Sequence, residues 1–200
     1  MRNPTEAQAM VRALKGLSLP VWVKTRRLDD PDGTLRFIEG LINAGADNLC
    51  LHGRTAAQRY EGRADRSVVA AAARRFPGLI SASGDVRDVA DVKEYLNMGC
   101  VLVMLARGAL ADPWLFPRTL SELGYPVPPE YLNPAPEGRA RALHCLGDRA
   151  REELGERQAV VLLKRLMGGV LKGMPGAAEL RRRIGCATKL EELLAALCGG

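Results

Sequence analysis

The sequence predicts an α/β fold, a parallel sheet whose strands alternate with helices, followed by a small all-α domain. Three observations carry this. Short apolar runs at 20–24, 48–51, 79–82 and 101–105 alternate with helix-patterned stretches of roughly ten residues, the signature of βαβ units. Every such run ends in glycine or polar residues. Beyond a proline-rich stretch at 125–136 the pattern turns helical to the end, broken only at glycines.

Taken in order, residues 4–15 place Ala7, Met10, Val11 and Leu14 at helical spacing after Pro4, with Gly16 as the stop. Pro20-Val-Trp-Val-Lys24 reads as a strand, with Thr25-Arg26-Arg27 opening its loop. Leu28-Asp-Asp-Pro-Asp-Gly33 is turn chemistry, and 35–44 is a helix closed by Gly45. The cycle repeats with strand 48–51 and helix 67–76, strand 79–82 and a helix from Val86 to Met98, then strand 101–105. A helix follows Pro113-Trp-Leu-Phe116 to about Leu123. Tyr125–Pro136 is too rich in proline for a regular element and reads as a linker. Helices are then predicted at 138–153, 156–171, 177–184 and 190–197, with breaks at Gly155, Gly173-Met-Pro-Gly176 and Gly185. The expected domains are therefore 1–123, a linker at 124–136, and 137–200.

Two hundred residues, 47% hydrophobic and 26% charged, exclude bulk disorder. The net charge of +6 suits a polyanionic partner without requiring one. Five cysteines form no C-x-x-C pair, so reduced thiols, a cytoplasmic setting and no zinc or other metal site are expected. No run approaches the roughly 20 apolar residues of a membrane span, so no membrane partner is expected.

The chemistry gathers at the carboxyl ends of the strands, where α/β folds collect ligands. Leu49-Cys-Leu-His-Gly-Arg-Thr55 runs from an apolar strand directly into His52, Gly53 and Arg54. Lys24 ends its strand with an ammonium that can neutralise charge on a ring system, or simply reach solvent. Ser83-Gly84-Asp85 and Ala106-Arg107-Gly108 each place a glycine near a helix start, a pattern suited to cradling phosphate. The basic residues of the helical region, among them Lys164-Arg165 and Arg181-Arg-Arg183, interleave with glutamates, as on a solvated helix surface.

Taken together, Val23-Lys-Thr-Arg26, His52-Gly-Arg-Thr55 with Gln58, Tyr60 and Gly62, Ser83-Gly-Asp85 and Ala106-Arg-Gly-Ala-Leu-Ala-Asp-Pro-Trp114 resemble the second half of the tRNA-dihydrouridine synthase family. Lys164-Arg165, Leu171-Lys-Gly-Met-Pro-Gly176 and Glu179-Leu-Arg181 resemble its C-terminal helical domain. The resemblance implies the second half of a (β/α)8 TIM barrel, its strands 5–8, that binds FMN, and an oxidoreductase that reduces uridine in tRNA at the expense of NADPH. It places Lys24, His52, Ser83, Gly84, Asp85, Ala106 and Arg107 on the flavin, and Arg54, Lys164 and Arg165 on the substrate.

There are departures. Ser83 stands where the family has asparagine and Ala106 where it has glycine, which implies weaker cofactor binding; Leu166 and Gly169-Val170 replace a histidine and an aromatic pair. The family's first half-barrel, and the cysteine of its Asn-x-Gly-Cys-Pro proton donor, have no counterpart here. The expectation is a fragment or truncated form, inactive alone; pairing with a missing N-terminal half-barrel, or with another copy of itself, is the lesser alternative. The alternatives are a non-catalytic RNA-binding remnant and a different phosphate-binding barrel enzyme, a lyase or isomerase.

Overall fold

In the computed structural model the described residues are 3–171 and 176–198, less the side chains of Pro136, Gly168, Gly169, Leu197 and Cys198. Gly173, Met174 and Pro175 of the expected break, and Lys172 before it, lie outside them. The chain divides into two compact units, Met1–Ala106 and Arg107–Gly200.

The first unit opens with helix α1 (Pro4–Lys15), capped by the Asn3 side chain accepting from the Glu6 amide, with Pro4 in the first turn where its missing N–H costs nothing. Strand β1 (Trp22–Arg26) follows, then α2 (Pro31–Asn43), β2 (Asn48–His52), α3 (Arg66–Arg75), β3 (Ile80–Ser83), α4 (Val89–Asn97) and β4 (Leu102–Met104). The strands are parallel and lie in the order β1-β2-β3-β4. Because right-handed crossovers that always step the same way leave every helix on one face, this is the singly wound arrangement of a (β/α) barrel and not a doubly wound sheet, whose order reverses.

Alternation divides the strand residues between two faces. Leu49, Leu51, Ile80 and Ala82 are fully buried in a core with Phe37, Ile38 and Leu41 of α2, Val69 and Ala72 of α3, and Val92 and Tyr95 of α4. Each large side chain buried there contributes roughly 1.5–3 kcal/mol. The opposite face carries Lys24, Cys50 and Ser81 in one register row, and Arg26, His52, Ser83 and Met104 in the next. That polar face is where the sheet departs from a plain core.

Two boundaries differ from the sequence reading in a way that matters. β1 starts and ends two residues later than predicted, so Thr25 and Arg26 belong to the strand and Arg26 pairs in register with His52. α4 starts at Val89, not Val86, because Asp88 and Asp91 form a reciprocal capping box that fixes the first turn there.

The second unit contains α5 (Arg107–Ala111), α6 (Leu115–Glu122), a 3-10 turn at Pro129–Tyr131, α7 (Pro136–Leu154), α8 (Glu156–Val170), α9 (Ala177–Cys186) and α10 (Leu190–Cys198). Its core joins Leu143, Leu163, Met167, Leu171, Ile184, Leu190 and Leu193. Gly147 lets α7 pack closely: a Cβ there would lie 3.1 Å from Leu190 Cδ1 and 3.2 Å from Leu163 Cδ2, so those side-chain tips would have to shift. The division falls at Ala106/Arg107, upstream of the 1–123 boundary drawn from the prolines. Trp114 packs against the helical core, and the Arg139 guanidinium lies 5.3 Å from the centre of its ring, so 107–123 belong with the helices. Within 124–136 only the 3-10 turn and the start of α7 are regular.

Among the described residues no helix is long and apolar enough to cross a membrane, and no group of three His, Cys, Asp or Glu is placed to hold a metal.

Candidate functional site

β2 ends in His52, and the chain then turns sharply through Gly53. A Cβ at Gly53 would lie 2.4 Å from the Asp65 carbonyl oxygen, so only glycine lets the strand tip pass under the start of α3. Two residues on, the Arg54 amide donates to His52 Nδ1 at 3.1 Å. That bond requires Nδ1 to be unprotonated, which leaves the proton of the neutral imidazole on Nε2. Burial, followed by the charges of Arg26, Lys24 and Arg54, pushes His52 down to about 4 against the opposing pull of Asp85. At neutral pH His52 is therefore an uncharged ring presenting an Nε2–H donor, with no hydrogen-bond partner at Nε2 among the described residues.

Arginines hold the loop that follows. Arg26 Nη1 donates to the carbonyls of Thr55 at 2.8 Å and Arg59 at 2.6 Å, and its guanidinium lies 5.7 Å from the centre of the exposed Tyr60 ring. Arg27 Nε donates to Gly53 O at 3.0 Å. Thr55 and Gln58 close the first turn reciprocally, the Thr55 amide donating to Gln58 Oε1 at 2.9 Å and the Gln58 amide to Thr55 Oγ1 at 3.3 Å.

Arg54 is placed otherwise than its motif suggested. Expected on the substrate, it is only 1% exposed. Nε donates to Glu61 O at 3.0 Å, while Nη2 donates to Gly62 O at 2.6 Å and to Asp85 Oδ2 at 2.7 Å. Nη1 is buried without a partner among the described residues. Of the guanidinium fork, Nε and Nη2 are taken up by the protein's own loops.

Asp85 is likewise turned inward, its Oδ2 also accepting from the Ala64 amide at 2.8 Å. Burial pushes its carboxyl up, but the Ala64 amide and the Arg54 guanidinium outweigh that and the net shift is downward, so it is a carboxylate. Its backbone sits at φ 49, and Gly84 before it at φ 120. A Cβ on Gly84 would meet Ala64 Cβ at 2.9 Å and the His52 ring at 3.3 Å. The turn after β3 thus lies directly against the imidazole. Tyr95 pins it from below, its hydroxyl donating to Gly84 O at 2.9 Å. Arg66, ion-paired with Asp91 and Glu94, stacks over the Tyr95 ring at 4.9 Å.

The expected phosphate cradle is narrower than the sequence implied. The amides of Arg87 and Asp88 donate to Asp91 Oδ2, and that of Asp91 to Asp88 Oδ1, so these three donors around the start of α4 are taken up by carboxylates.

Lys24 and Ser83 complete the polar face. Lys24 is exposed and, among the described residues, makes no hydrogen bond or ion pair; Ser83 is buried, and its hydroxyl has none either. Cys50 sits between Lys24 and Ser81, its thiol raised by burial and lowered by Lys24, the net being upward; it is a protonated core residue. The first unit thus brings together Lys24, His52, Ser83, Gly84 and Asp85. Ala106 is its last residue, two beyond β4, and Arg107 opens α5 in the second unit.

In the second unit Lys164 Nζ donates to Gly185 O at 2.9 Å and so caps the end of α9. Arg165 is exposed and without a partner among the described residues. Several neighbouring arginines are taken up locally: Arg149 by Glu153, Arg151 by Asp148, Arg182 by Glu179.

Comparison with known proteins bears on this arrangement. The family model described as dihydrouridine synthase matches residues 1–198. Among curated relatives, probable tRNA-dihydrouridine synthases of Mycobacterium leprae and Aquifex aeolicus are 33% and 29% identical, each over 92% of this chain and over 49% and 56% of their own lengths. Probable tRNA-dihydrouridine synthase 1 of Synechocystis is 33% identical over 92% of this chain and 52% of its own. The chain spans about half the length of the curated relatives it matches.

Proposed function

This chain belongs to the dihydrouridine synthase family, and we propose that it forms the FMN- and RNA-binding half of a cytoplasmic tRNA-dihydrouridine synthase. The observation that carries the reading is the polar face of the sheet. Lys24, the His52 Nε2–H and the Ser83 hydroxyl are donors without partners among the described residues, placed in two adjacent register rows on one side. Gly84 lets its turn pack directly against the imidazole, where a Cβ would meet Ala64 and the His52 ring. Three convergent donors, one of them cationic, fit the oxygen-rich and anionic edge of a flavin ring.

In this reading Lys24 and His52 bind the ring edge, and Ser83 and Gly84 flank it. Asp85 contributes through the shape of its turn. Ala106 and Arg107 take the phosphate. The chemistry FMN supplies when bound is hydride transfer to the uracil ring, with NADPH replacing the electrons and a general acid delivering the proton that completes reduction of the double bond. His52, neutral and fixed in one tautomer, donates a hydrogen bond without adding charge of its own. Lys24 supplies the positive charge. Arg165 contacts RNA phosphate, whereas the Lys164 ammonium is held by Gly185 O. No cysteine of this chain stands in an Asn-x-Gly-Cys-Pro setting, so the 200-residue chain alone forms little or no dihydrouridine.

Titration of purified chain with FMN, followed by quenching of flavin fluorescence, tests the reading. Saturable uptake of one FMN per chain is expected, weakened in Lys24→Met. A chain that takes up no FMN yet binds tRNA in a salt-dependent way is an RNA-binding remnant instead.

A further inference from the structure

Arg54 and Asp85 are the most deeply buried ion pair among the described residues, with side chains 2% and 11% exposed. They join two loops that leave different strands. On one side Arg54 reads two consecutive carbonyls of its own loop, Glu61 O and Gly62 O; on the other Asp85 reads the Ala64 amide. A single guanidinium and a single carboxylate thus tie 54, 61–62, 64 and 85 into one unit. The same residue whose side chain makes this tie also donates its backbone amide to His52 Nδ1. The turn it tethers is the one whose Gly84 lies against the His52 ring.

We propose that the Arg54–Asp85 pair is a positioning clamp: it fixes the backbone at 54 so that His52 is held as the Nε2–H tautomer, and it seats the 83–85 turn against that ring. Neither side chain contacts ligand. The alternatives a loop of this kind would otherwise sample, with the imidazole flipped or its proton on Nδ1, are removed because Nδ1 always meets an N–H. This rests on the geometry of the loops alone and stands whether or not FMN is the ligand.

The test uses His52 as its own reporter. The chain has only two histidines, His52 and His144, so in 15N-histidine-labelled protein a His144→Gln variant assigns the ring signals. In the parent at neutral pH, long-range 1H–15N spectra should give His52 one unprotonated nitrogen, Nδ1, and one protonated nitrogen, Nε2. Asp85→Asn keeps the shape and removes the charge; Arg54→Lys keeps the charge and removes the fork, and a lysine cannot serve two carbonyls and a carboxylate at once. Loss of the single tautomer, with ring nitrogens averaging between the two forms in either folded variant, is the expected result. The double variant should change the ring signals no further than the single ones, because the partners act together. Retention of the pure Nε2–H pattern in both folded variants, with only the melting temperature lowered, would show the pair to be a structural brace and overturn the proposal. If FMN uptake fails in the parent while the tautomer responds as expected, the cofactor assignment falls and the clamp stands.

Discussion

Placing a methyl group at Gly84 is the sharpest perturbation of the site. The residue's φ of 120 lies where side chains are strained, at a cost of roughly 1–3 kcal/mol. The added Cβ would then meet the Ala64 methyl at 2.9 Å, a group with no rotamer to escape into, and the His52 ring at 3.3 Å. Overpacking of that kind costs about 1–3 kcal/mol more, so Gly84→Ala should lose roughly 2–6 kcal/mol. Gly78 supplies the internal control: its φ is 79, but a Cβ there meets nothing within 4 Å, so Gly78→Ala should cost only about 1–2 kcal/mol of backbone strain. Amide exchange of the β2 and β3 backbone under native conditions reads the stability of this unit separately from the helical one. Equal loss of protection in the two variants would mean that the 83–85 turn does not press on the imidazole, and the packing argument for the site would fail.

Other expectations follow from single contacts. Tyr95→Phe removes the buried bond to Gly84 O and should cost about 1–3 kcal/mol, with the earliest loss of exchange protection in the 84–88 turn. His52 is held down at about 4 by burial and by the cations around it, so it binds its proton more weakly folded than unfolded, where its value is about 6.5. Its contribution, up to about 3 kcal/mol, should be complete above pH 6.5 and vanish as the pH falls to 4; denaturant melts across that window, repeated in His52→Gln, should lose this slope. Lys24→Met should leave stability within about 0.5 kcal/mol, since Lys24 is exposed and unpaired among the described residues, yet weaken FMN binding. Lys164→Met should fray the end of α9 by about 0.5–1 kcal/mol, visible as faster exchange near Cys186.

Most of the fold was legible because hydrophobic periodicity and helix punctuation are local. Pro4 and Gly16 gave α1 its true limits, and the alternation of runs gave all four strands within two residues. The start of α4 was misjudged although Asp88 and Asp91 carried the signal, a capping pair three residues apart. The first domain boundary was drawn at the prolines because linker composition is conspicuous, whereas the packing of Trp114 under Arg139 joins positions 25 residues apart that share no pattern. The same holds in the site. His52 and Ser83 could be aligned from strand ends and do pair in register, whereas Lys24, expected at its strand tip, lies two residues inside β1, level with Cys50. Arg54 could not be placed: its partners Glu61, Gly62 and Asp85 are chosen by loop geometry, and an arginine beside a histidine looks the same whether its fork faces a ligand or a carbonyl. Arg26, Arg27 and Tyr95, which hold the two loops in place, were missed for that reason.

The most direct measurement of the central claim follows the His52 Nε2–H and the Lys24 ammonium signals in labelled chain as FMN is added. Both should shift together along one saturable curve that ends at one flavin per chain. If FMN binds while both signals stay where they were, the polar face of this sheet is not the flavin site.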